Sequence, residues 1–172
     1  FHNEESLDGL QPIIQFITAQ QKLKELNLAY LSNSMNDKTF QVLTEGITKL
    51  GKLEVLGLNM GNMSGIKKSQ SSVAKMLGAL PDLKAFALYC THFSKEDKDL
   101  IELLLALSKL RYLDDLVLDM TVEKFTGLGY ERLLEVMRAF PKISTFKILI
   151  QTNKRDDILN AIIDEYRLKC DK

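Results

Sequence analysis

One six-residue pattern returns at a fixed interval of 30 residues along the chain, and that period constrains the fold more than any other feature. "LKELNL" begins at Leu23, "LEVLGL" at Leu53, "LKAFAL" at Leu83, "LDDLVL" at Leu113 and "ISTFKI" at Ile143. Motif positions one, four and six are apolar in all five copies. Against a 45% apolar background, fifteen such matches by chance have a probability on the order of 10⁻⁵ to 10⁻⁶. A period of this length marks a stack of supersecondary units, each burying its apolar face against the next.

The remainder of each unit keeps step. Phe40, Leu43, Ile47 and Leu50 are spaced three, four and three apart, which is one face of a helix. The set returns as Val73, Leu77 and Leu80, as Leu100, Leu103, Leu107 and Leu110, and as Tyr130, Leu133, Met137 and Phe140. Leu10, Ile13 and Ile17 lie 30 residues before the first set and predict a repeat helix at the N-terminus. Pro81 and Pro141 directly follow two of these helices, where a residue unable to continue a helix belongs. Ser94 with Asp97 resembles a capping box, Asp replacing the usual Glu. The motif itself reads as a short strand. Positions four, six and eight point to one side, position eight being Tyr30, Met60, Cys90, Met120 and Ile150; positions three, five and seven point to the other.

Stacked strand–helix units place a parallel sheet on one side and a row of helices on the other. Strands sit about 4.8 Å apart and helices need roughly 10 Å, so the array curves with its sheet on the concave side. The LxxLxL strand and the helix-bearing 30-residue unit resemble leucine-rich repeats of the ribonuclease-inhibitor type, over nearly the whole chain. The resemblance implies an α/β fold, a right-handed solenoid with a parallel concave sheet and convex helices. That family usually carries Asn or Cys at motif position nine, bonding loop backbone in a ladder. Here the position reads Leu31, Gly61, Thr91, Thr121 and Gln151, so the ladder is absent and less regular loops are expected.

The period parses residues 1–172 as one repeat domain: a cap or partial repeat over 1–22, units at 23–52, 53–82, 83–112 and 113–142, and a last unit at 143–172. The final segment "DDILNAIIDEYRLKC" has the polar load of a capping helix. Phe1 falls at position nine of a preceding unit, and there is no initiator Met, so the chain reads as a processed product or part of a longer one.

Chemistry is harder to find. Lys plus Arg equals Asp plus Glu, 23 each, which argues against nucleic acid as partner. No apolar run reaches the roughly 18 residues of a membrane span, and the N-terminus has no signal-peptide pattern. Cys90 and Cys170 stand far apart without metal-ligand spacing and read as reduced thiols of a cytoplasmic protein, Cys90 packed inside. His2 and His92 have no partner pattern for catalysis and read as surface-loop residues. "GLG" at 127–129 lacks the flanking glycines and strand of a phosphate loop, and "KEDKD" at 95–99 reads as a solvated acidic first turn of a helix. No cofactor, metal, small-molecule substrate or catalytic residue is implied.

A repeat lets exposed positions be read as columns. On the sheet face turned from the helices, position three runs Glu25, Val55, Ala85, Asp115, Thr145; position five Asn27, Gly57, Ala87, Val117, Lys147; and position seven Ala29, Asn59, Tyr89, Asp119, Leu149. Its centre is small and apolar, with Tyr89 projecting beside Asp115 and Asp119, the composition of an interface core. Val55, Asn59, Ala85, Ala87, Tyr89, Asp115, Val117, Asp119 and Lys147 form the candidate partner-binding set. The rival surface is helical: Leu105 lies about 170° from the centre of its helix's buried face, four residues after Ile101, predicting an exposed apolar pair. The resemblance and these surfaces imply a non-catalytic protein-interaction or scaffold module for protein partners, extending to a multi-subunit assembly. The alternative is the substrate-recognition or regulatory arm of a larger enzyme complex, such as a ubiquitin-ligase receptor or a nucleotide-switched sensor.

Overall fold

Alternation inside each motif and the 3.6-residue period after it demand strand, then helix, at every repeat, and a computed structural model of the chain has that order. It describes residues 5–29, 36–64, 66, 69–123, 126–139, 143–151, 160–161 and 163–164. The elements are α1 (Glu5–Ala19), β1 (Glu25–Ala29), α2 (Asp37–Thr48), β2 (Val55–Asn62), α3 (Ser69–Gly78), β3 (Ala85–Ser94), α4 (Asp97–Leu107), β4 (Asp115–Val122), α5 (Gly127–Ala139) and β5 (Thr145–Gln151). The five strands form one parallel sheet in the order β1-β2-β3-β4-β5. Sequential parallel neighbours require a crossover each, and a 30-residue period leaves room for one helix per crossover.

The repeat is also structural at the level of single hydrogen bonds. The amides of Leu23, Leu53, Leu83 and Leu113 each donate to the carbonyl three residues earlier, closing the same turn from helix to strand. In the second, third and fourth units the next two amides converge on one carbonyl of the unit before: Glu54 and Val55 on Lys24, Lys84 and Ala85 on Glu54, and Asp114 and Asp115 on Lys84. Register is thereby set near the start of each strand, and motif positions three to seven face their own copies next door.

Between sheet and helices lies one continuous core. Leu53, Leu56, Leu58, Leu83, Phe86, Leu88, Leu116 and Leu118 supply its strand side, and Phe40, Leu43, Ile47, Val73, Leu77, Leu100, Leu103 and Leu107 its helix side. Position eight joins it: Met60, Cys90 and Met120 are buried, and Ile150 packs against the cluster from its edge. The buried stripe on each helix is wider than one apolar face, taking in Thr44, Met76, Leu104 and Val136 as well. A helix in a row touches its neighbours as well as the sheet, so its buried stripe extends beyond the sheet-facing side.

Several local expectations fail, for reasons of packing. Among the side chains of α1 whose burial is described, 11–19, Ile14 and Ile17 are buried and Ile13 is exposed. Ser94 and Asp97 form no capping box. Glu96 is the N-cap of α4 and makes no side-chain cap bond; the Ser94 hydroxyl instead accepts from the Glu96 amide and donates to Asp99. Asp97 is not part of a solvated first turn: it is buried and accepts from the Thr126 amide (2.8 Å) and hydroxyl (2.6 Å) in the next unit. His92 lies in β3 rather than in a loop, at a positive φ of 53° with its side chain exposed. The strand ends are irregular, with register shifts between Asn59 and Gly61 and between Cys90 and Ser94. His2, Tyr30, Leu31, Phe140, Pro141, Cys170 and most of the final polar helix lie outside the described residues.

Candidate protein-interaction surface

In-register pairing turns the sequence columns into rows of directly adjacent residues. Val55, Ala85 and Asp115 are successive partners, as are Gly57, Ala87, Val117 and Lys147, and Asn59, Tyr89, Asp119 and Leu149. All nine residues of the candidate set therefore share one open face of the sheet. Tyr89 is its projecting aromatic group, 40% exposed in a neighbourhood of half-buried Val55, Ala85, Ala87 and Val117. Asp119 is its direct partner on β4, and Asp115 follows the same strand four residues earlier. Leu149 continues the row as a second exposed apolar side chain. The acids of the face are Glu25, Asp115 and Asp119 and its one base is Lys147, two strands from Tyr89.

The floor of this face is shallow for a physical reason. Gly57 has no side chain, and Asn27 on β1 leans across it while donating to Glu25 Oε1 at 2.9 Å. Beneath the face, burial pushes the Cys90 thiol up to about 12, with the negative charge of Asp119 adding to the effect. Cys90 is a buried free thiol whose raised pKa favours the protonated form over the nucleophilic thiolate.

Column two, which the periodic reading passed over, carries a charge ladder. The Glu54 carboxylate accepts from Lys24 Nζ at 2.7 Å and from Lys84 Nζ at 2.6 Å, joining three consecutive units. Asp114 Oδ1 continues the column by accepting from the Ser144 amide (3.0 Å) and hydroxyl (2.6 Å). The sign alternation Lys, Glu, Lys, Asp at 30-residue spacing was the available signal. The Lys24 bond, then the Lys84 bond, lowers the Glu54 pKa to about 2 from 4.5. A carboxyl whose folded pKa is depressed adds stability above its unfolded pKa, and that increment disappears as pH falls towards the folded value. Glu54→Gln should therefore differ most from wild type in urea unfolding at neutral pH, the two curves converging between about pH 4.5 and about pH 2. A difference independent of pH would show that the ladder carries no linked proton.

The helical alternative is only half as expected. Leu105 is 43% exposed, but Ile101 is half-buried and packs against the core, so no exposed pair exists. Ile101 turns instead into a groove of about 470 Å³ between α4 and α5, shared with Leu105, Arg132 and Val136. A second hollow of about 640 Å³ between α3 and α4 is lined by Pro81, Leu105, Lys109, Arg111 and Tyr112. Leu105 is thus a ridge between two grooves. Among the described residues no helix is long and apolar enough to cross a membrane, and no group of three or more His, Cys, Asp or Glu side chains is placed to hold a metal ion.

No protein-family model matches the chain, and no curated protein matches it. Solved structures do. The tropomodulin C-terminal domain from Caenorhabditis elegans is similar with a TM-score of 0.59 at 9% identity, over 91% of this chain and 92% of that one. A structure described as leiomodin-1 actin-binding site 2 is similar with a TM-score of 0.55 at 10% identity, over 93% and 90% respectively. The shared property is the fold: five parallel strands in one sheet alternating with helices. These neighbours correct the expectation of a ribonuclease-inhibitor-type repeat. A leucine-rich-repeat-like unit remains, but without the position-nine ladder that fixes the standard turn. Towards the C-terminal ends of β2 and β3, Gly61 and His92 stand at positive φ, next to the register shifts.

Proposed function

We propose that the chain is a non-catalytic protein-interaction module whose partner docks on the open sheet face around Tyr89. The observation that carries this reading is the pairing of Tyr89 with Asp119 across β3 and β4: an exposed aromatic anchor with a charge in register beside it. A partially exposed Tyr has apolar area to bury at little entropic cost, and a rim carboxylate steers and orients a basic partner group. Rigid in-register strands hold both groups in place before binding, which lowers the ordering cost of association. The name of the leiomodin-1 neighbour, an actin-binding site, is in keeping with protein binding on this fold and makes actin the first partner to test. A buried, free Cys90 suits a reducing, cytoplasmic setting.

Tyr89→Ala combined with Asp119→Lys should abolish association and leave the circular-dichroism melt unchanged, because both side chains point away from the core. Co-sedimentation with filamentous actin and capture from a cell lysate provide the readouts. The competing result is equally concrete. If Ile101→Glu with Leu105→Glu removes binding while the sheet-face variant binds normally, the partner sits on the grooves flanking α4.

A further inference from the structure

The chain carries no net charge, but its charges are not spread evenly over the solenoid. The four turns at 20–24, 49–54, 79–84 and 108–114 each lead from a helix into the next strand and line one rim of the array. Together they hold seven Lys or Arg and three Asp or Glu. The three acids are engaged: Glu54 by Lys24 and Lys84, Asp82 by Lys52, and Asp114 by Ser144. Lys109 and Arg111 are exposed and form no ion pair among the described residues. The hollow between α3 and α4 opens on this rim, and its depth has a cause in the sequence. Ala74 and Gly78 stand where the next two units carry Leu104 and Ser108, then Leu134 and Arg138. These small residues leave about 640 Å³ unfilled, and a Cβ added to Gly78 would meet nothing within 4 Å.

Leu105 and Tyr112 line this hollow, 43% and 60% exposed. Away from α1 and the sheet face they are the only exposed large hydrophobic side chains among the described residues, and one hollow holds both. Lys109 and Arg111 complete its wall. The one acid there, Glu102, lies seven residues before Lys109, about 10 Å back along a helix axis. We infer that the hollow is a second docking site, which takes an acidic segment of another protein. A leucine or aromatic side chain of that segment fills the space beside Leu105, Tyr112 and Pro81. Its carboxylates pair with Arg111, whose planar fork donates two parallel hydrogen bonds to one carboxylate, and with Lys109. Tyr and Arg around an apolar pocket are the residues from which most interface binding energy comes. Glu102 repels carboxylates from the far end, so the acids of the segment lie on the rim side and it enters in one orientation. Nucleic acid needs a longer basic track than two cations, and a lipid surface is too flat to enter a concavity between helices. The hollow is separate from the sheet face around Tyr89, so either surface can be occupied, or fail its test, without the other.

The probes are short fluorescein-labelled peptides with Phe, Leu or Trp beside a run of Asp and Glu, and a matched set with Asn and Gln in place of the acids. Fluorescence anisotropy with the whole chain reads their binding. The acidic set is expected to bind with Kd below about 100 μM, and the neutral set at least about tenfold more weakly. Arg111→Glu should raise Kd at least about tenfold, and Gly78→Leu, which fills the hollow, should do the same. Both positions are exposed, so unchanged circular-dichroism melts will show that the variants fold. Tyr89→Ala with Asp119→Lys should leave peptide binding as it is. Failure of the acidic set to bind at about 500 μM overturns the inference, and so does binding that survives either Arg111→Glu or Gly78→Leu. Binding lost only in the Tyr89 variant overturns it as well, by placing the segment on the sheet face. Phosphatidylserine vesicles or single-stranded DNA that bind more tightly than the peptides and depend on Arg111 would overturn the assignment to a protein segment.

Discussion

Leu103→Ala should destabilise the fold by about 2–5 kcal/mol, and Leu107→Ala by a similar amount, as large-to-small truncations in a rigid core do. Both side chains are fully buried on the inner face of α4, in the middle unit of the array. Two effects add: the lost transfer energy of the removed methyl groups, and the cavity left between α4 and the sheet. Collapse around the cavity is restricted because α4 is held from three directions, by α3, by α5 and by the strands beneath. Leu105→Ala is the internal control, since that side chain already meets solvent and should cost within about 0.5 kcal/mol. Urea unfolding midpoints measure all three. Losses below about 1 kcal/mol at both Leu103 and Leu107 would mean that α4 is not seated as described.

Gly129→Ala should also destabilise, which is the opposite of the usual sign for glycine in a helix. In an unobstructed helix this change typically gains about 0.5–1 kcal/mol. Here a Cβ at position 129 would overlap the Asp97 carboxyl group. Asp97 cannot simply swing aside, because it is buried and holds the Thr126 amide and hydroxyl. Thr126 in turn accepts from the Gly129 amide at 3.1 Å and caps α5. Moving Asp97 leaves its buried carboxylate with fewer donors; keeping it in place strains the start of α5. Either route should cost about 1–3 kcal/mol, the range for overpacking a tight site or unsatisfying a buried polar group. The diagnostic measurement is a double-mutant cycle with Asp97→Ala. If the clash is the cause, Gly129→Ala should lose most of its penalty once Asp97 is truncated, a coupling of about 1 kcal/mol or more. Additive losses would place the cause elsewhere in α5.

The candidate sheet face was legible because it required only translation. Tyr89 and Asp119 are 30 residues apart, and parallel in-register strands convert that separation into direct adjacency. The helical alternative was less legible: Ile101 is half-buried, packed against the core beside the α4–α5 groove, and a single-helix wheel contains no neighbour. The capping expectation at Ser94 failed for a related reason. A local motif competes with partners from the next unit, and Thr126 offers Asp97 two donors where the α4 amide offers one.

By itself the sequence determined the period, the alternation of strand and helix, the parallel order and the inner and outer faces of every strand. Those properties follow from short-range periodicity repeated at constant spacing, and each copy of the motif reports the same answer. Only the tertiary structure decided which copy of an equivalent position is covered. Leu43 and Ile13 are the same residue of the repeat, yet one is buried because a unit precedes it and the other is open because none does among the described residues. Burial is a property of the neighbour as much as of the residue, and an array treats its first unit differently from all those that follow.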